Sequence, residues 1–288
     1  MDVAEKVWIV TGGASGLGAA VVAALVTRGG LVAVLDLNEE AGSQAEKQYG
    51  QSVAFFRCDV GDEDNVKQAL KGVKERFQGK KWGGVVHCGG VGMAGKTVGN
   101  DGTPFSFDVF SEVHRINLLG SFLIASNVAS EIVSQHPSPS RSSAERLTAD
   151  RGVIILTSSV SATEGQMGQV AYASSKAGVQ GLVLPMARDL ARHGIRVMAI
   201  APSLFTTNMG KNTPPKSVLL FLALAFPLPK LIQLRGNRVR ESLLSTTLHP
   251  VRFGEPEEFA KLAVGIIENG YLNGGTIRID GGSRMAKM

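Results

Sequence analysis

Seven short apolar runs punctuate this chain, and most are continuous rather than alternating: Val7–Val10, Leu31–Leu35, Val53–Phe56, Val85–Val86, Val153–Leu156, Ile195–Ile200 and Thr276–Ile279. An unbroken apolar strand needs cover on both faces, and connections of roughly 15 to 30 residues are long enough to cross over as helices. The pattern predicts an α/β architecture with seven parallel strands and helices on both faces. The longer fourth connection reads as two helices, one of them Ser111–Val133, ending near Pro137.

Composition excludes several classes. With 288 residues, 44% hydrophobic and 19% charged, the chain is neither disordered nor collagen-like. Two cysteines, Cys58 and Cys88, have no CxxC spacing and frame neither a disulfide scaffold nor a four-thiolate zinc site, so reducing conditions and no metal are expected. No apolar run reaches the roughly 18 residues that span a bilayer, and residues 1–6 carry no signal-peptide core and no cleavable presequence. We expect one domain over 1–288, with a surface loop at 136–151 and a substrate-lid insertion at about 210–252.

The net charge of +5 is local. Between Lys211 and Arg252 seven Lys/Arg face a single acid, Glu241, which leaves the rest of the chain near neutral. One basic segment without RNA- or DNA-binding motifs argues against nucleic acid as the main partner and for a local anionic one. Its first half is apolar, Val218–Phe226, and its second carries Arg235, Arg238 and Arg240. An acyl-CoA has the same division into a greasy chain and remote phosphates. A hydrophobic subunit contact beside a solvated basic loop accounts for the segment equally well, and peripheral membrane contact through 214–240 is a third expectation.

Thr11-Gly12-Gly13-Ala14-Ser15-Gly16-Leu17-Gly18 follows the first strand and opens a helix. Glycines there let the backbone approach a pyrophosphate, and the helix N-terminus attracts its charge. Asp36, ending the second strand, suits the adenosine ribose hydroxyls and repels a 2′-phosphate, which favours NAD. Asp59-Val60, at the end of the third run, suits an adenine amino group. The combination makes the fold Rossmann-type and doubly wound.

Tyr172 and Lys176 fall one helical turn apart, so the ammonium should draw the phenol's pKa down from about 10 toward working pH. Tyr172 then serves as acid or base, and Ser159, at the end of the fifth strand, donates to the substrate oxygen.

The turn Gly12–Gly18, Asn117, Ser159 and Tyr172-x3-Lys176, in this order, resemble the short-chain dehydrogenase/reductase family over essentially the whole chain. The resemblance implies hydride transfer between NAD and a secondary alcohol or ketone, with catalytic Asn117, Ser159, Tyr172 and Lys176. Lys176 would also hold the nicotinamide ribose and Asn117 a water of a proton relay, although a helix-buried amide satisfying backbone groups accounts for Asn117 as well. By the same match Gly12, Ser15, Gly16, Leu17, Gly18, Asp36, Asp59, Val60, Cys88, Tyr172, Lys176, Phe205 and Thr207 bind the cofactor. Glu164–Gln169, Gly194–Met198, Ala201–Phe205, Ile266–Asn269 and Leu272–Gly281 resemble a branch acting on 3-hydroxyacyl-CoA thioesters. That branch implies a homotetramer and an intracellular location, mitochondrial or cytoplasmic. The alternatives are a steroid, polyketide or other apolar alcohol as substrate, or a non-catalytic NAD-binding scaffold or RNA-associated subunit.

Two positions depart from the family pattern. His87-Cys88 stands where an Asn pair is usual, which predicts a looser turn on the adenosine side. Ser203 stands where Gly usually follows the proline, which predicts an added side chain beside the nicotinamide.

Overall fold

A computed structural model describes residues 1–136, 148–207, 244 and 246–284. The strands are β1 (Val7–Thr11), β2 (Leu31–Asp36), β3 (Val53–Arg57), β4 (Trp82–His87), β5 (Gly152–Thr157), β6 (Ile195–Pro202) and β7 (Thr276–Ile279). They form one sheet in the order β3-β2-β1-β4-β5-β6-β7, every pairing parallel. The order reverses between β1 and β4, and a ligand cleft is expected beyond the strand ends at that switch point. The register there sets Thr11 opposite His87.

Strand alternation divides the core between the two faces. Ile9, Leu35, Val85, Ile154 and Leu156 pack under α3 (Glu63–Arg76), α5 (Gly120–Gln135) and α6 (Val170–Ala191). Trp8, Val10, Val34, Val86 and Ile155 meet α1 (Gly16–Val26) and α7 (Pro256–Glu268) on the other face, with α2 (Glu39–Tyr49) at its edge. Each fully buried large aliphatic side chain contributes about 1.5–3 kcal/mol, so the doubly covered centre fixes the strand ends that carry the site.

The expected Ser111–Val133 helix is longer and has a wide turn in it. α4 (Phe107–His114) passes through a π turn, Arg115–Leu119, directly into α5. The combined rod, Phe107–Gln135, is long and apolar enough to cross a membrane by length and composition, although polar residues such as Asn117 and Asn127 interrupt its apolar runs. It serves here as a core helix, with Ile124, Val128 and Ile132 buried against the sheet.

Most of the expected lid, including Val218–Phe226, Arg235, Arg238 and Arg240, and most of the expected loop at 136–151 lie outside the described residues. Arg252, at the edge of the basic segment, is paired with both carboxylate oxygens of Glu258 at 2.8 Å.

Candidate active site

The turn after β1 is built by close approach. Gly12 has φ +60°, and a Cβ there would lie 2.9 Å from the Gly89 nitrogen in the turn after β4; a side chain at Gly18 would run into the Gly12 carbonyl. Glycine alone fits both positions. Ser15 precedes α1 in an extended conformation, and its side chain makes no capping bond. The helices α2 and α3, by contrast, are capped by Asn38 and Asp62. The first N–H groups of α1 thus keep their capacity to bind an anion.

Gly12, Ser15, Gly16, Leu17 and Gly18 line a cleft of about 450 Å³, together with Asp36, Asp59, Val60, Cys88 and Thr207. Asp36 is fixed at its edge, Oδ2 accepting from the Ala14 N–H and Oδ1 from the Asn38 N–H, both at 3.1 Å. Burial pushes the Cys88 thiol up to about 12, so it lines the wall as a neutral group. The Phe205 ring packs edge-on against Phe259 at 6.3 Å, in the apolar layer over α7, two residues before Thr207 of the cleft wall.

One of the two departures from the family pattern turns out differently from the sequence reading. His87 does not loosen its turn. Its Nδ1 lies 2.7 Å from Thr11 Oγ1, which also accepts the Gly89 N–H at 3.1 Å, so the imidazole ties β4 to β1. Burial lowers His87 to about 3 and leaves it neutral. The Ser203 N–H donates to the Ile279 carbonyl, and the residue lines a small cavity with Thr247 and Asp280.

At the inner end of the cleft, Gly90 separates the dinucleotide wall from the proton-transfer groups: a Cβ there would lie 3.3 Å from Lys176 Nζ and 3.1 Å from Asn117 Oδ1. Tyr172 lies in the first turn of α6, with the Ser159 hydroxyl facing its phenol. Burial pushes the phenol above its usual range, and the Ser159 hydroxyl partly offsets this. The expected downward pull of Lys176 on the phenol is not found; Nζ is turned onto the Thr157 carbonyl at 2.8 Å and lies 5.8 Å from the centre of the Tyr172 ring. Lys176 itself is buried, which lowers it to about 8. Ser159 Oγ accepts the Ser161 N–H at 3.1 Å, which orients the hydroxyl.

Asn117 is fully buried in the π turn and clasps Val91. Its Oδ1 accepts the Val91 N–H at 2.8 Å, and Nδ2 donates to the Val91 carbonyl at 2.9 Å and to Ser175 Oγ at 3.1 Å. Both amide hydrogens are used, so the side chain is held in one orientation.

Sequence reasoning missed Gly89, Gly90, Val91, Glu112, Arg115 and Ile116, which also line the cleft. The Gly89-Gly90 pair at a strand end was the available signal; Arg115 carried none. An uncapped helix start against glycines, with a fixed carboxylate one strand away, fits a dinucleotide's pyrophosphate and ribose. A phenol, a hydroxyl and a buried ammonium at the other end fit proton exchange with an alcohol or a carbonyl.

A sequence model of short chain dehydrogenases matches residues 6–217. The chain belongs to the short-chain dehydrogenase family. It is an NAD-dependent oxidoreductase acting on CH–OH donors, with a small-molecule substrate. The 3-hydroxyacyl-CoA dehydrogenase type-2 of Bos taurus is 39% identical over 278 residues, which are 96% of this chain and 94% of that protein. The protein of the same name from Drosophila melanogaster is 38% identical over 282 residues, 98% of each chain. The crystal structure of 3-hydroxyacyl-CoA dehydrogenase type-2 from Mycobacterium avium aligns with a TM-score of 0.83 at 32% identity, covering 99% of this chain and 98% of that one.

Proposed function

We propose that this chain interconverts a 3-hydroxyacyl-CoA and the corresponding 3-ketoacyl-CoA, with Tyr172 as the acid/base. The observation that carries the reaction is the gathering of Ser159, Tyr172 and the buried Lys176 ammonium beside Gly90, at the inner end of the glycine-lined cleft. The thioester is suggested by the likeness to proteins named for that substrate.

NAD bound in the cleft supplies the hydride acceptor. Ser159 holds the substrate hydroxyl by a hydrogen bond, and Tyr172 Oη takes its proton as the carbonyl forms. Lys176 places a positive charge within reach of the developing phenolate, which a desolvated phenol needs most. In the reverse direction Tyr172 returns the proton to the substrate oxygen. Asn117 acts by holding Val91 and the strand-end turn around Gly90.

Reduction of NAD in the presence of 3-hydroxybutyryl-CoA and longer homologues tests the reading. Turnover on these thioesters supports it; turnover on steroid or simple secondary alcohols without any on the thioesters would replace the substrate class.

The expected homo-oligomer is part of the proposal. Leu119 and Phe122, one turn apart on the α4–α5 rod, are 54% and 49% exposed, and Leu184 on α6 is 45% exposed. Apolar side chains so placed suit a contact with a second copy. Light scattering of wild-type and Phe122→Glu protein checks this, with a smaller particle expected for the variant. An intracellular location, mitochondrial or cytoplasmic, accords with the two free cysteines, Cys58 and Cys88.

A further inference from the structure

We propose that Arg115 is a positioning residue for the purine end of the cofactor, holding the Asp59 carboxylate so that the cleft selects a base with a hydrogen-bond donor at its six-position. The inference rests on the dinucleotide reading of the cleft given above.

Arg115 Nη2 donates to Asp59 Oδ2 at 3.0 Å. Its guanidinium is held from the other side by Glu112 in a fork, Nε to Oε2 at 2.7 Å and Nη2 to Oε1 at 2.8 Å. Asp59, Glu112 and Arg115 all line the cleft. The guanidinium lies against the Gly61 backbone, where any side chain would collide with it. The Gly61 N–H in turn donates to the other Asp59 oxygen, Oδ1, at 2.9 Å. Each oxygen of Asp59 is therefore gripped by one donor, and the two donors come from different parts of the chain.

An ionised carboxylate has about four lone-pair positions and no hydrogen to give. With two positions used, the others remain as acceptors in a fixed direction. An amino group at the purine six-position meets such a group as a charge-assisted donor, whereas an oxo group there opposes acceptor to acceptor. A site built to bind a donor discriminates strongly against a ligand lacking it. Discrimination needs the carboxylate to stay in place, because a free Asp59 turns away from the mismatch into solvent. Two carboxylates against one guanidinium also leave the cluster net negative, which favours an amino group.

Arg115 also opens the π turn whose third residue, Asn117, clasps Val91 at the inner end of the same cleft.

The test compares calorimetric affinities for NAD, nicotinamide hypoxanthine dinucleotide, which carries an oxo group at the purine six-position, and nicotinamide mononucleotide, which has no purine. Wild-type protein should prefer NAD over the hypoxanthine analogue by about tenfold or more, the factor that about 1.4 kcal/mol of lost hydrogen bonding gives. Arg115→Met should bring the two to within about threefold by weakening NAD, a loss of roughly 0.7 kcal/mol or more in discrimination, while leaving mononucleotide affinity unchanged. Arg115→Lys should retain an intermediate preference. If Arg115→Met does not fold, Glu112→Gln, which loosens the guanidinium without touching Asp59, must lower the ratio in the same way. An unchanged ratio, an equal loss on all three ligands, or a wild-type protein that binds both dinucleotides equally would overturn the role of Arg115. A wild-type protein that binds none of the three would overturn the cofactor reading, and this inference with it.

Discussion

His87 Nδ1 lies 2.7 Å from Thr11 Oγ1, and that hydroxyl also accepts the Gly89 N–H at 3.1 Å. One threonine oxygen thus joins the ends of the two strands that flank the cofactor cleft. Thr11→Val keeps the shape and leaves a buried ring nitrogen and a backbone N–H unpaired, each worth about 1–3 kcal/mol. We expect a lower unfolding free energy in denaturant titration, together with weaker NAD binding. Unchanged values of both would show that the bridge contributes nothing.

Burial lowers the His87 pKa from 6.5 to about 3. The sign of its effect on stability follows: below about 6.5 the unfolded chain takes up a proton that the folded chain refuses. Stability present above that pH is therefore lost as pH falls toward 3, by about 1.4 kcal/mol per pH unit. His87→Asn removes this component, so its stability should fall less steeply than wild type between pH 6.5 and about 4. Parallel curves would contradict a neutral, buried imidazole.

Asp36 is aimed by two backbone N–H groups, from Ala14 and Asn38. Asp36→Ala removes a ribose acceptor and a charge that repels a 2′-phosphate, each worth about 1–3 kcal/mol. The two together should narrow the preference for NAD over NADP by roughly one and a half to four powers of ten. Ratios of kcat/KM for the two cofactors check this. A wild-type protein that already prefers NADP would contradict the assignment.

The features legible in the sequence are those that local chemistry determines. Ile9, Val34 and Ile154 announce strands because both faces of the sheet are covered, and Gly12 and Gly18 announce a close approach that no other residue permits. β4 was legible only as Val85-Val86, because Gly83 and Gly84 carry no apolar signal; Trp8 and the Val153 carbonyl occupy the space their side chains would need. The π turn left no trace, since Arg115–Leu119 has ordinary helical composition. Contacts such as Arg115–Asp59 and Thr11–His87 join residues far apart in the chain, and only the strand order brings them together.

Lys176 is lowered to about 8 by burial. In alcohol oxidation Tyr172 must be deprotonated to act as base, so the rate should rise with pH until Lys176 loses its own charge near 8. Lys176→Met removes the positive charge that favours the phenolate, which should move the rising limb to higher pH and weaken NAD binding. Both changes are expected together in kcat/KM profiles and in cofactor titrations. A variant with an unshifted limb and unchanged affinity would remove Lys176 from the site.

The central claim is that the Tyr172 hydroxyl, facing Ser159, exchanges the proton during NAD-dependent oxidation of a 3-hydroxyacyl-CoA. Tyr172→Phe deletes one oxygen and leaves the dinucleotide wall intact. Initial rates of NADH formation from 3-hydroxybutyryl-CoA, measured on wild-type and Tyr172→Phe protein at matched NAD saturation, test it directly. The account predicts a fall in kcat of about 10²–10⁴ with NAD affinity held within about threefold, less than 0.7 kcal/mol. A variant that retains most of the wild-type kcat would contradict it.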